Sequence, residues 1–163
     1  MIRALLVLLF AAGAARAETV DLPKTKARLV LGDGWRAQPA KGLVAAYKHD
    51  RGALLAITRA DVPNSDAWVS EKKQAYFEQV EKGIKAKLGA KKYTRKLVDA
   101  GGVPAIDVEA RRASGATVVM RVLLFRTYAL SLALEVPKGG DVAAARAIVK
   151  AFAPPRESDH DDD

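Results

Sequence analysis

The stretch from Val103 to Val136 constrains the fold most, because three consecutive segments of it follow the two-residue period of β-strands. Apolar and charged residues alternate from Val103 to Arg112. The segment Ala116 to Phe125 is apolar on both faces, which predicts a central strand. The segment Tyr128 to Val136 has large residues on one face and small ones on the other, where a helix can approach closely. Short polar turns separate the segments, so we predict an antiparallel meander.

Further strands are predicted before that meander. They are Thr19 to Leu22, Ala27 to Leu31, Leu43 to Lys48, Ala53 to Arg59 and Tyr93 to Ala100. The third and fourth are expected to form a hairpin, since a short turn that ends in Gly52 joins them. A strand that leads through Gly101 and Gly102 into the meander is expected to pair with its first segment.

Two helices are predicted from apolar residues at three- and four-residue spacing. The first is expected to begin near Asp66, whose side chain favours a helix N-terminus, and to end at about Leu88 before a left-handed Gly89. The second is expected from Val142 to about Phe152 after an Asp141 cap. The order of strands, long helix, meander and short helix predicts an α+β fold, an antiparallel sheet with both helices packed on it.

The N-terminal residues have the three parts of a secretory signal peptide. Arg3 is positive, an apolar run follows, and Ala15-Arg16-Ala17 is a small-residue cleavage site. We therefore expect residues 1–17 to be a signal peptide, residues 18–155 to form a single domain, and residues 156–163 to be a disordered acidic tail. The expected location is periplasmic or secreted, with no transmembrane segment after cleavage.

Charge and cysteine content limit the functional classes. The chain has 27 Lys and Arg residues against 19 Asp and Glu residues, and five of the acidic residues lie between Glu157 and Asp163. The remainder is therefore strongly basic, which favours anionic partners such as membrane head groups, lipopolysaccharide or polysaccharide. With no cysteine, the exported protein has no disulfide framework, so burial alone must stabilise the fold.

The densest group of basic residues is the candidate anion-binding patch. It consists of Lys82, Lys85, Lys87, Lys91, Lys92, Arg95 and Lys96. No acidic residue interrupts it, and it spans the end of the first helix and the start of the next strand. The alternative is that these cations are simply solvated and stabilised by the helix dipole. Nucleic acid is not expected as a partner, because the predicted compartment argues against it and Tyr93 is the one aromatic residue in the run.

Candidate catalytic residues are few. The histidines are His49 in a hairpin turn and His160 in the tail, and no serine has the sequence context of a nucleophile elbow. Asp107 and Glu109 share one strand face and have the form of paired carboxylates, but an ion-pair ladder with neighbours such as Arg111 is the simpler interpretation. The tail offers ligands for a divalent ion without the spacing of a calcium loop. We therefore predict no catalytic, cofactor-binding or metal-binding residue and no enzyme activity.

Several short segments resemble the PsbP-like and DcrB-like exported domains. They are Pro23, Gly34-Trp35, Ala53 to Ile57, the long amphipathic helix, Gly101 to Ala105, and Ala151 to Pro154. The resemblance covers nearly the whole chain after the leader but depends on element order and a few residues. It implies an α/β/α sandwich around an antiparallel sheet, used as an accessory or interaction domain without common catalytic residues. Many DcrB-like proteins carry a lipid-anchored cysteine, which this sequence lacks.

Together these features predict a non-enzymatic exported accessory domain, expected to be a monomer, that binds an envelope protein or an anionic polymer or lipid surface. The site would be one sheet face or the basic end of the long helix. The alternative is a small-ligand carrier with a pocket between helix and sheet. An apolar pocket with one or two inward polar groups would favour the carrier, and a convergent cluster around His49 would favour an enzyme.

Overall fold

The computed structural model describes residues 17–62, 73–90 and 92–154, which contain nine strands and two helices. The strands are β1 Glu18–Asp21, β2 Arg28–Leu31, β3 Trp35–Ala37, β4 Ala45–His49, β5 Leu54–Asp61, β6 Lys92–Asp99, β7 Pro104–Arg111, β8 Thr117–Leu124 and β9 Tyr128–Val136. The helices are α1 Lys73–Leu88 and α2 Val142–Ala151. The leader residues 1–16 and the tail from residue 155 lie outside the described residues, so the predicted signal peptide and tail stay predictions.

Seven strands form one antiparallel sheet in the order β3-β4-β5-β9-β8-β7-β6. The apolar strands β8 and β9 lie near its centre, and β3 and β6 form its two edges. The meander and the hairpin of β4 and β5 are confirmed. The three-residue strand β3 was not predicted from the sequence, because it is too short to show alternation.

The face of the sheet that α2 covers carries the larger core. Leu132, Leu134 and Phe152 are fully buried there, and the separate hairpin of β1 and β2 contributes Leu29. The two layers are joined where the Arg28 N–H donates to the Ala153 carbonyl at 2.9 Å. Asp141 is the N-cap of α2 as predicted, because its side chain accepts from the Ala144 N–H. Large side chains on this face thus leave α2 little freedom to move.

The opposite face is covered by α1. Its Phe77 and Ile84 are buried against Ile106, Val122 and other apolar side chains of β7 and β8. Gly89 follows with a φ of 53°, the left-handed conformation predicted for the helix end. The predicted beginning of this helix near Asp66 lies outside the described residues. Helices on both faces make an α/β/α sandwich, so the predicted α+β class is confirmed.

Candidate functional site

The candidate anion-binding patch is divided by the sheet. Lys82, Lys85 and Lys87 lie on α1, and Lys92, Arg95 and Lys96 lie on β6. Lys91 lies outside the described residues. Successive side chains of a strand point to opposite faces. The register places Arg95 beside Val108 on the α1 face, and Lys92 and Lys96 beside Arg111 and Asp107 on the α2 face.

On the α1 face, one carboxylate joins helix and edge strand. Glu81 accepts from Lys85 Nζ at 2.7 Å and from Arg95 Nε at 2.9 Å, and only 13% of its side chain is exposed. Lys85 Nζ also lies 4.6 Å from the centroid of the Tyr93 ring. Burial, followed by the charge of Glu81, raises the pKa of Tyr93 to about 12. Two cations of the candidate patch, Lys85 and Arg95, are thus paired with Glu81 and link α1 to β6.

On the α2 face, an open groove runs between β6 and β7 on one side and α2 on the other. We call this the β6–α2 groove, and it has two connected parts with volumes of about 740 and 410 Å³. Both parts are lined by Thr94, Glu109 and Arg146. The groove exists because α2 packs over β8, β9 and β2, so that β6 and the outer side of β7 remain uncovered by it.

The floor of the groove is an ion pair between a buried arginine, Arg121, and a half-buried carboxylate, Asp107. Arg121 is only 5% exposed, and it donates through Nε and Nη2 to the two Asp107 oxygens at 2.6 and 2.8 Å. Its Nη1 donates to the carbonyls of Lys150 and Phe152 at 2.9 and 3.2 Å. The Arg121 side chain therefore connects β7, β8 and the end of α2. A two-oxygen contact of this kind is the geometry that arginine forms best with a carboxylate.

A second two-oxygen pair spans the middle of the groove. Arg146 on α2 donates to both Glu109 oxygens at 2.7 Å. This hydrogen bond lowers the pKa of the Glu109 carboxyl, although partial burial acts in the opposite direction. The expected surface ladder of Asp107 and Glu109 with Arg111 is thus wrong in its partners. The actual partners are Arg121 and Arg146, and this face of β7 is the floor of a groove.

The two pairs neutralise the carboxylates of the floor and leave an excess of positive charge at the rim. Seven basic and three acidic residues line the two parts of the groove. Four of the basic residues form no ion pair with any described residue. These four, the rim cations, are Lys92, Lys96, Arg111 and Lys150. Of the third carboxylate, Asp99, one oxygen accepts from the Gly102 N–H at 2.7 Å.

His49 is held by the backbone on both sides of its ring. Its Nδ1 accepts from the Arg51 N–H at 3.1 Å, so Nε2 carries the proton and donates to the Asp33 carbonyl at 3.1 Å. The Trp35 ring packs against it edge to face. With both nitrogens engaged, the imidazole serves to fix the β4–β5 turn and offers no free base to a substrate. Within the described ranges, no cluster of His, Asp and Glu is placed to hold a metal ion.

A second cavity of about 490 Å³ lies beside that histidine, between the first half of α2 and strands β4 and β9. Trp35, Leu134, Val136 and Ile148 supply apolar surface to it. Ile148 is half-buried, because it borders this cavity. In the described part of the chain, no helix has the length and apolar character needed to cross a membrane.

Solved structures of known proteins include similar folds. No family model matches the sequence, and no curated protein matches it. Cyanobacterial PsbP (CyanoP) from Synechocystis has a similar structure, with 12% identity over 89% of this chain and 96% of that chain, and a TM-score of 0.62. The Ran-binding protein Mog1p of Saccharomyces cerevisiae covers 89% of this chain and 98% of its own, with 13% identity and a TM-score of 0.53. The PsbP-like fold predicted from the sequence is therefore confirmed.

Proposed function

We propose that this protein is an exported accessory domain that binds a polyanionic partner through the β6–α2 groove and has no catalytic activity. The observation that carries the proposal is the set of four rim cations above a floor whose Asp107 and Glu109 are neutralised internally. Because Asp107 and Glu109 are already paired, they neither occupy the rim cations nor strongly repel an anionic partner that binds to those cations. The leader in residues 1–17 supports export to the periplasm or the medium.

The fold supports an interaction role. One protein of similar structure, Mog1p, is a Ran-binding protein, and binding without chemistry is the role proposed for this chain. The engaged ring of His49 supports the same interpretation, because the described histidine offers no free nitrogen for proton transfer.

The candidate anion-binding patch is retained in part. Lys92 and Lys96 belong to the proposed site, whereas Lys85 and Arg95 are paired with Glu81 on the other face.

The experiment compares three triple variants on a heparin column eluted with salt. The first changes the groove (Lys92→Gln, Lys96→Gln, Lys150→Gln). The second changes α1 (Lys82→Gln, Lys85→Gln, Lys87→Gln), and the third changes exposed lysines elsewhere (Lys24→Gln, Lys41→Gln, Lys48→Gln). Each variant removes three positive charges, so a difference in the salt concentration at elution reflects the position of the lysines and not their number.

The groove variant is expected to elute at the lowest salt, because clustered cations hold a polyanion together and each contact is screened by salt. Equal elution of all three would show that net charge alone explains retention, and would contradict the proposal. Earliest elution of the α1 variant would place the site on the opposite face of the sheet.

A small-ligand carrier remains the second candidate, and the cavity beside Trp35 is the observation that favours it. Two of its polar neighbours are already engaged, since Asp141 caps α2 and Asp50 pairs with Arg36, and Trp35, Leu134 and Ile148 supply apolar surface. The tryptophan fluorescence, to which Trp35 and Trp68 both contribute, is expected to shift on addition of a long-chain fatty acid if a carrier site is present. The variant Trp35→Phe, which keeps Trp68, is the matched control, because a shift that arises at Trp35 must be absent from it. No shift in the unaltered protein would exclude a fatty acid as the ligand.

A further inference from the structure

The sheet ends on its β6 side in a long strand that no described strand pairs with on its outer side. β6 has eight residues, whereas β3 at the opposite edge has three. An edge strand presents backbone N–H and C=O groups in a row, and a second chain can pair with them. The long edge is therefore the better candidate for strand addition.

The register identifies which backbone groups face outward. The Ala100 N–H donates to the Val103 carbonyl at 2.9 Å, so these two residues form a hydrogen-bonded pair. Such pairs alternate with pairs that make no bonds to each other in antiparallel strands. Thr94 and Lys96 therefore bond to β7, opposite Glu109 and Asp107. The N–H and C=O groups of the intervening residues face outward. These residues are Tyr93, Arg95 and Leu97.

The side chains along this edge differ between its two faces. On the α2 face, Lys92 and Lys96 border the groove and belong to the unpaired rim cations. On the α1 face, Leu97 is 48% exposed, one of three large apolar side chains that are exposed in the described ranges. An added strand would thus meet positive charge on one face and an apolar side chain on the other.

We propose that the polyanionic partner is an acidic protein segment that binds in extended form, as an eighth strand along β6. This inference rests on the proposed function and names the partner class for the same groove. The segment carries acidic side chains opposite Lys92 and Lys96 and an apolar side chain opposite Leu97. In sequence, its two acids are four residues apart and the apolar residue adjoins one of them, because the side chains of a strand alternate between faces.

Lysines on edge strands also occur as protection against association, so lysine content alone does not carry the inference. β6 combines three features: an outward backbone edge that pairs with no described strand, the rim cations on one face, and the exposed Leu97 on the other. Lysines that serve only to prevent pairing would not require that the neighbouring carboxylates, Asp107 and Glu109, be neutralised by Arg121 and Arg146. Backbone pairing supplies affinity, and the alternate side chains supply specificity, as in other cases of strand addition.

The test measures binding of a fluorescein-labelled octapeptide of alternating glutamate and valine by fluorescence anisotropy. Leu97→Pro removes an outward N–H without touching the bonds to β7, and Leu97→Gln is the matched control that keeps it. Leu97→Pro is expected to weaken binding about tenfold or more relative to Leu97→Gln, since it removes a backbone hydrogen bond and obstructs the edge. Equal affinities of the two variants would overturn strand addition.

A second measurement uses the unaltered protein and remains decisive if Leu97→Pro fails to fold. Peptides N-methylated on alternate amides are expected to bind poorly when the methyl groups face β6 and normally when they face away. If both methylated peptides bind equally, strand addition is wrong. In that case, heparin retention that still depends on the groove lysines would leave the proposed function intact. If heparin retention also fails to depend on the groove lysines, the proposed function is refuted as well.

Discussion

The change Asp107→Ala tests the groove floor, because it leaves the charge of Arg121 buried without its partner. Arg121 is 5% exposed and donates two short hydrogen bonds to that single carboxylate, at 2.6 and 2.8 Å. Breaking a buried pair by removing one partner costs about 3–5 kcal/mol. With a urea m-value of about 2 kcal/mol/M, the unfolding midpoint is expected to fall by about 1.5–2.5 M.

The assay is urea unfolding followed by circular dichroism, with Glu109→Ala as the control. Glu109 also loses a two-oxygen pair, but its partner Arg146 is 58% exposed and is solvated by water when the carboxylate is removed. The loss for Glu109→Ala is therefore expected to be much smaller. Adding Arg121→Met to Asp107→Ala should restore part of the stability, because an apolar side chain replaces the unpaired charge.

A midpoint for Asp107→Ala that is no lower than that of Glu109→Ala would contradict the cost assigned to the unpaired Arg121 charge. A double variant less stable than Asp107→Ala alone would contradict it as well, since the bonds from Arg121 to the Lys150 and Phe152 carbonyls would then outweigh the cost of the buried charge.

Three further predictions concern the core, acid stability and the Glu81 cluster. Phe152→Ala should cost about 3–5 kcal/mol in thermal or urea unfolding, because Phe152 is fully buried at the end of α2, and a loss under about 1 kcal/mol would contradict that packing. Arg146 lowers the pKa of Glu109 below its ordinary 4.5, so the stability from this pair is present above that pH and is lost as the pH falls through the lowered value. The difference in urea midpoint between the unaltered protein and Arg146→Gln should therefore be larger at neutral pH than in acid, and the opposite trend would refute the linkage. Tyr93→Phe should leave stability unchanged or raise it, because the buried Tyr93 hydroxyl has no partner among the described residues. A clear loss in thermal stability would show that this hydroxyl is bonded.

The order of elements was predictable because the meander obeys a strict two-residue period. Tyr128 to Val136 separates large from small side chains along one strand, and the structure places its large face under α2. The strand Trp35–Ala37 was not predictable, since three residues carry no period. The order of strands in the sheet, and hence the edge position of β6, depends on contacts between distant segments that periodicity does not encode.

The site was predicted only in part, for identifiable reasons. The alternation of β6 already separates Arg95 from Lys92 and Lys96, and Glu81 stands four residues before Lys85, a spacing that predicts a helical ion pair. Both signals were present in the sequence. The pairing of Arg121 with Asp107 requires the register of β7 and β8, and the pairing of Arg146 with Glu109 requires the position of α2 on the sheet. Neither follows from local sequence.

The most direct test of the central claim is an NMR titration of the ¹⁵N-labelled protein with a short heparin fragment. We expect the largest chemical-shift changes at the Thr94 and Lys96 amides and at the side-chain Nε–H groups of Arg121 and Arg146, all at the β6–α2 groove, with little change at Lys41 or Lys48. Changes concentrated around Lys82 and Lys87 on α1, or spread evenly over exposed lysines, would contradict the claim that the groove is the binding site.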